Sequence, residues 1–294
     1  MAFAQLGDIR IAYEDHGLPD DPALVLIAGL SNQLIFFEDE FVQGLVDRAF
    51  RVIRFDNRDV GLSTILDHHP VAIEDVLAAL GSGQPFTPPY RLSDMAGDVV
   101  GLLDHLAVDR AHLLGVSLGG MVAQSVAIDH PERVQSLTLL SSTTGSPDVG
   151  QPTPESLQAL LAPSPDGDRT AVVEANVASR RVWATAEHFD DDWAREYFGQ
   201  SFDRSNAPGG TSRQLAAVLL EPDRESLLDQ ITSPALVLHG TDDKLIAADG
   251  GERLAALIPD ATYVELDGMG HDLPPHFWAP VIEAVTQLAV RSLN

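Results

Sequence analysis

Gly115-Val116-Ser117-Leu118-Gly119 decides how this chain reads. An apolar run, Ala111 to Val116, precedes the serine, and Gly120 with a helical pattern from Met121 to His130 follows it. The run reads as a strand and the segment after it as a helix, which puts Ser117 on a sharp strand-to-helix turn. Such a turn crowds the backbone, so small residues must flank the serine. It points the serine Oγ outward and leaves backbone N–H groups unspent at a helix N-terminus. The plainer reading is a turn with a capping serine. The strand before and the helix after favour a nucleophile.

Outward from this turn, apolar strand-like runs alternate with amphipathic helical ones, which argues an α/β fold with a mostly parallel sheet. Phe3–Leu6 and Ile9–Tyr13 read as an opening hairpin around Gly7-Asp8. Ala23–Ala28, Arg51–Phe55, Val134–Leu140, Pro234–His239 and Ala261–Leu266 read as strands, most of them apolar throughout, as strands buried on both faces tend to be. Ser93 to Leu106 reads as a helix with Ser93 as its N-cap and Met95, Val99, Leu102, Leu103 and Leu106 as its apolar stripe. Pro280 to Leu288 reads as a closing helix, and Ile73–Leu80 as a short one inside the proline-rich segment Thr64–Tyr90.

Regularity fails between about Thr143 and Asp229. Pieces rich in proline, glycine and serine, at Ser146–Pro154, Pro163–Gly167 and around Pro208, separate helical patterns that carry aromatic residues. The stretch is too long for a plain loop. The expected organisation is a core of 1–142 and 230–294 with a helical lid, 143–229, inserted between two strands of the sheet. Trp183, Trp193 and Phe198 of that insertion, with the loop pair Phe36-Phe37, are candidates for an apolar substrate pocket. Each could instead pack the lid against the core.

Composition narrows the function. The chain has 294 residues and no cysteine, which removes disulfides, thiolate metal sites and a cysteine nucleophile. The formal net charge of −26 disfavours nucleic acid and anionic membrane surfaces as partners. The acidity suits a solvated surface, or else solubility in salt or steering of a cationic substrate. No apolar run is long enough to cross a membrane, and Met1 to Asp8 has neither the basic nor the apolar part of a signal peptide. A cytoplasmic protein, monomer or homodimer, is expected.

A serine hydroxyl needs a base, and the base needs an orienting carboxylate. Among ten histidines, His271 stands out. It lies in Gly268-Met269-Gly270-His271, just past the last strand, on a loop that can carry an imidazole to the serine. His276 follows two prolines, and His239 ends a core strand, where a satisfied buried histidine is the simpler reading. The pair His68-His69 lacks metal-ligand spacing, and no HExxH motif occurs, so no metal is expected. For the acid, Asp242 and Asp243 follow the strand Pro234–His239 through Gly240-Thr241, and turn geometry does not choose between them. The other position open to such an acid, after Val134–Leu140, reads Ser141-Ser142-Thr143-Thr144. Two backbone N–H groups should hold an oxyanion, that of Leu118 and that of Leu30 in the loop after Ala23–Ala28.

At these residues the chain resembles the α/β-hydrolase superfamily over nearly its whole length. The resemblance rests on GVSLGG (115–120), FDNRDVGLS (55–63), HGTDD (239–243) and GMGH (268–271). The family's HGxxD pattern implies Asp243 as the acid. Lys244 departs from the proline that often follows there, and Ala28-Gly29 replaces the family's usual His-Gly while keeping the glycine of the turn. Within the superfamily the chain is most similar to the branch containing aclacinomycin methylesterase, in FDNRDVGLST and in Pro89 to Leu106. The resemblance implies a serine hydrolase cleaving a carboxylic ester of a small substrate, without a cofactor. Perhydrolysis, hydrolysis of a C–C bond, or ligand binding without catalysis are the alternatives on the same scaffold. Serine at the turn argues against dehalogenase and epoxide-hydrolase chemistry, which needs a carboxylate there.

Overall fold

The computed structural model describes residues 1–163, 165 and 167–292. Ser164 and Asp166, inside the Pro163–Gly167 stretch, and positions 293 and 294 of the core lie outside the described residues. Eight strands form one sheet: β1 (Ala2–Leu6), β2 (Ile9–His16), β3 (Ala23–Ile27), β4 (Arg51–Phe55), β5 (Ala111–Val116), β6 (Val134–Leu140), β7 (Ala235–Gly240) and β8 (Thr262–Leu266). Their order is β1-β2-β4-β3-β5-β6-β7-β8. The first hairpin joins antiparallel, and β4 through β8 pair in parallel. The expected α/β class and mostly parallel sheet are borne out.

Alternation along the strands splits the core in two. Val25 and Ile27 of β3 face one apolar layer, and Leu24 and Leu26 face the other. The first layer is completed by α3 (Leu92–His105), α4 (Leu118–Asp129) and α9 (Ala248–Leu257). The second is completed by α1 (Asp39–Val46) and α10 (Trp278–Arg291). α2 (Ile73–Ser82) lies in the proline-rich segment, and α5 (Pro154–Leu160), α6 (Arg169–Trp183), α7 (Asp191–Arg204) and α8 (Pro208–Leu219) lie between β6 and β7.

Two local readings are corrected, and two helices are added to those expected. α3 begins at Leu92, so Ser93 is inside the helix; the Asp94 carboxylate accepts from the Arg91 backbone N–H at 2.8 Å and closes the first turn in place of a serine cap. The helix after the serine starts at Leu118, directly at the turn. α1 and α9 went unread. α1 carries a legible signal, acidic Asp39 and Glu40 in its first turn and a Phe41, Val42, Leu45 stripe. In α9, Gly250 and Gly251 mask the pattern, because glycine is a poor helix former.

What matters for the site is the strand order. The chain winds from β3 to β4 on one side, then returns to place β5 on the other side of β3. Loops after the adjacent parallel strands β3 and β5 therefore open side by side at their C-terminal ends, where open α/β sheets form a crevice.

Candidate active site

Ser117 occupies the turn between β5 and α4 with φ +57° and ψ −119°. A non-glycine residue in this region carries strain on the order of 1–3 kcal/mol. Its surroundings hold it there. The Ser117 N–H donates to Leu140 O at 2.9 Å, and Ser142 Oγ donates to Ser117 O at 2.9 Å. The glycines are needed sterically: a Cβ at Gly115 would lie 2.2 Å from Gly119 O, and one at Gly119 would lie 2.0 Å from Ile27 O. The close approach of Gly119 to the end of β3 packs the first turn of α4 against the strand that leads to Leu30.

The loop after β8 carries His271. Its Nε2 lies 2.9 Å from Ser117 Oγ, and its Nδ1 lies 2.7 Å from Asp243 Oδ2. A carboxylate only accepts, so Nδ1 bears the proton and Nε2 is left to accept from the serine hydroxyl. Asp243 is buried at the end of β7. Its Oδ1 accepts from the backbone N–H groups of Leu245 and Ile246, both at 2.9 Å. Burial pushes its carboxyl pKa upward, but the facing His271 and the hydrogen bonds from His239 and His271 outweigh this and hold it well below the usual carboxylate range. Asp242, its neighbour, is exposed. This arrangement can pass a serine proton to the imidazole while the carboxylate stabilises the imidazolium that forms.

The two backbone donors face no internal competitor. Among the described residues, neither the Leu118 N–H nor the Leu30 N–H donates a hydrogen bond. Gly29 brings the second loop up to the serine: a Cβ there would stand 3.3 Å from Ser117 Cβ. Among the described residues, no group of three His, Asp or Glu side chains could hold a metal ion.

His239 is fully buried, and its Nε2 lies 2.9 Å from Ile246 O, but its Nδ1 has no partner among the described residues, so it is a half-satisfied core histidine. His276 stacks on His188 with ring centroids 4.1 Å apart, and both line the cleft described below.

The expected pocket residues separate. Phe36 and Trp193 line a cleft of about 300 Å³, with Arg180, Asp272, Leu273 and Pro274 among the other walls. The cleft adjoins His271 through the next two residues, although neither His271 nor Ser117 lines it. Phe37 does not belong to it. Phe37 is 1% exposed, stacked against Phe41 in the core layer under α1 and α10, while the half-buried Phe36 packs edge-on against it, 5.2 Å between centroids, and reaches the cleft. Trp183 and Phe198 are outside this lining among the described residues. Phe198 packs with Val173, Val177 and Ala194. Trp183 contributes its carbonyl, which accepts from the His271 N–H at 2.6 Å.

FDNRDVGLS takes on roles that a single sequence hides. Asp56 is fully buried, accepts from the Leu34 and Leu62 N–H groups, and pairs with Arg204 of α7 at 3.0 Å. Asn57 donates to Ala28 O at 3.1 Å. Arg58 grips Asp98 of α3 through two hydrogen bonds of 2.6 and 2.8 Å. Asp59 receives Arg213 of α8 through two of 2.8 Å. The pairs with Arg204 and Arg213 tie two inserted helices to the loop after β4, and the pair with Asp98 ties that loop to α3. No periodicity could have revealed them, because the partners lie 40 to 154 positions away.

Comparison with known proteins finds relatives along nearly the whole chain. A family model described as alpha/beta hydrolase fold matches residues 16–275. Rhodomycin D methylesterase of Streptomyces peucetius is 28% identical over 299 residues, covering 95% of this chain and 94% of the relative. A 2-hydroxy-6-oxononadienedioate/2-hydroxy-6-oxononatrienedioate hydrolase of Paraburkholderia phymatum is 28% identical over 277 residues, covering 90% and 85%. Among solved structures, an enol-lactonase from Burkholderia xenovorans superposes with a TM-score of 0.75 at 25% identity, covering 98% of this chain and 100% of the other.

Proposed function

The chain belongs to the alpha/beta hydrolase fold family, and from that premise we propose that it is a serine esterase acting on a carboxylic ester of a small molecule. The observation that carries this reading is the single imidazole of His271 bridging Ser117 Oγ and Asp243 Oδ2. In the proposed reaction His271 takes the Ser117 proton as Oγ attacks the ester carbonyl. The Leu118 and Leu30 N–H groups hold the oxyanion. His271 then protonates the departing alcohol, and water, activated by the same imidazole, releases the acid from the acyl-enzyme. Asp243 keeps the imidazole in the required tautomer.

In this reading residues 143–229 are a lid on a core of 1–142 and 230–294, and the pairs Asp56–Arg204 and Asp59–Arg213 support that role. Among the described residues no helix is long and apolar enough to cross a membrane. The strongly acidic composition supports a small-molecule partner rather than nucleic acid, and a cytoplasmic monomer or homodimer is part of the same proposal. The Streptomyces relative named as a methylesterase supports an ester substrate. The Paraburkholderia relative, named as a hydrolase of an oxo-dienedioate, supports hydrolysis of a C–C bond as the second reading.

The deciding experiment is labelling with a fluorophosphonate, followed by mass mapping and by assay of p-nitrophenyl esters of graded chain length. Modification at Ser117, lost together with esterase turnover in Ser117→Ala, is expected. Labelling that persists in that variant would sink the assignment.

A further inference from the structure

Arg180 sits in the last turn of α6, one turn before Trp183, whose carbonyl holds the His271 N–H. It is only 8% exposed, yet among the described residues no carboxylate lies within ion-pair distance of its guanidinium. Of five N–H donors, one is used: Nη2 donates to Asn32 Oδ1 at 3.1 Å. The group lies between the rings of Phe36 and Phe198, 5.9 and 5.6 Å from their centroids, and lines the cleft beside His271. Two other buried arginines, Arg58 and Arg213, differ, whereas Arg224 bonds Gln124 and the Thr143 carbonyl. Arg58 and Arg213 each close on a carboxylate with two hydrogen bonds. A buried guanidinium is costly unless paired, so one aimed into a cleft with empty donors calls for an anion from outside.

Asn32 links this cation to the chemistry. Its Oδ1 takes both Arg180 Nη2 and the Tyr197 hydroxyl, at 3.1 Å each. Its Nδ2 would lie 3.4 Å from a Cβ at Gly29, which would itself lie 3.3 Å from Ser117 Cβ. Two carboxylates on the cleft walls already accept hydrogen bonds from other groups. Asp190 caps α7, accepting from the Asp192 and Trp193 N–H groups. Asp272 Oδ1 accepts from Thr185 N–H and Oγ1–H, at 3.0 and 2.5 Å. Burial raises the pKa of both Glu38 and Asp272; at Asp272 the Thr185 hydrogen bonds and the charge of Arg180, which stands beyond ion-pair distance, oppose the rise.

We propose that Arg180 is a carboxylate-binding residue, and that the natural substrate is an ester carrying a second, free carboxylate: a half-ester or lactone of a dicarboxylic acid whose apolar body rests on Phe36 and Trp193. This deepens the esterase reading and rests on it. It also revises the purely apolar pocket expected from the aromatic residues. The planar fork of arginine suits two carboxylate oxygens, which a point charge does not.

The test compares two substrates of one shape, mono-p-nitrophenyl glutarate and p-nitrophenyl methyl glutarate, on the full chain. The wild type is expected to favour the free acid in kcat/KM by on the order of 10–100-fold, the range of a charge-assisted hydrogen-bonded pair. Arg180→Gln should bring that ratio close to one, and Arg180→Lys should restore part of it. Glutarate binding, followed by tryptophan fluorescence, should saturate in the wild type and not in Arg180→Gln, whether or not either ester turns over. Fluorophosphonate labelling of Ser117 checks that each variant keeps its site. Ester turnover with no preference for the free acid, or a preference that survives Arg180→Gln, would overturn the carboxylate site while leaving the esterase reading intact. Absence of labelling and turnover with glutarate still bound through Arg180 would do the reverse.

Discussion

The backbone N–H of His271 donates to the carbonyl of Trp183 at 2.6 Å. The histidine beside the serine is thus held by the C-terminal end of an inserted helix as well as by its own loop. Thr185 adds a second tie: its Oγ1 accepts from the Gly270 N–H at 2.9 Å and donates to Asp272. The segment between β6 and β7 therefore ties down the backbone on which His271 sits.

Thr185→Val tests that coupling. It removes the hydroxyl and leaves the buried Gly270 N–H unpaired, a cost of about 1–3 kcal/mol. Because the strain falls on the loop holding His271, kcat should drop tenfold or more while Ser117 stays in place. Thermal unfolding and steady-state kinetics on the same preparation measure both effects. A stability loss without a kcat effect would mean that the loop holds His271 by itself.

Asp242 and Asp243 are adjacent, but only Asp243 reaches His271. Asp243→Asn is expected to lower kcat by on the order of 10⁴, since an amide does not select the Nδ1-protonated imidazole. Asp242→Asn should stay within about twofold of wild type. Equal losses in the two variants would contradict the geometry.

The strained backbone at Ser117 predicts a trade between stability and activity. Ser117→Ala and Ser117→Gly both lack the hydroxyl, but only glycine adopts a φ of +57° without steric cost. Glycine adds about 0.5–1 kcal/mol of unfolded-chain freedom, less than the strain it relieves. The glycine variant should therefore be more stable than the alanine variant by roughly 1 kcal/mol, read from urea unfolding. The opposite order would show that Ser117 is unstrained.

His112, 2% exposed between β3 and β6, governs stability in mild acid. Burial, with Arg110 nearby, lowers its pKa to about 4. Its folded pKa lies below the ordinary value of 6.5, so the unfolded chain binds the extra proton first. Stability from this group is complete above about pH 6.5 and is lost as the pH falls toward 4, by up to about 3 kcal/mol. His112→Gln should flatten the stability curve over that window. Urea midpoints at pH 7.5 and pH 5 give the comparison.

Much of the fold was legible because buried parallel strands announce themselves as apolar runs. The boundaries read for Ala111–Val116, Arg51–Phe55 and Val134–Leu140 match the sheet. α9 was hidden by its own glycines. Phe36 and Phe37 could not be told apart, since which ring meets the cleft and which the core depends on packing around one short turn. Asp56, Arg58 and Asp59 stood inside a quoted motif without assigned partners, because Arg204, Asp98 and Arg213 belong to distant helices.

By itself, the sequence determined the α/β class and the serine on a tight strand-to-helix turn, because hydrophobic periodicity and glycine placement act over a few residues. It could nominate His271 and a pair of aspartates, but it could not bring them together. Only the tertiary structure decided that one imidazole spans Ser117 and Asp243, that the inserted helices grip the loop carrying it, and that Arg180 faces the cleft with no carboxylate within ion-pair distance among the described residues. Each depends on groups from separate elements converging at one edge of the sheet, and that convergence is a property of the packed chain.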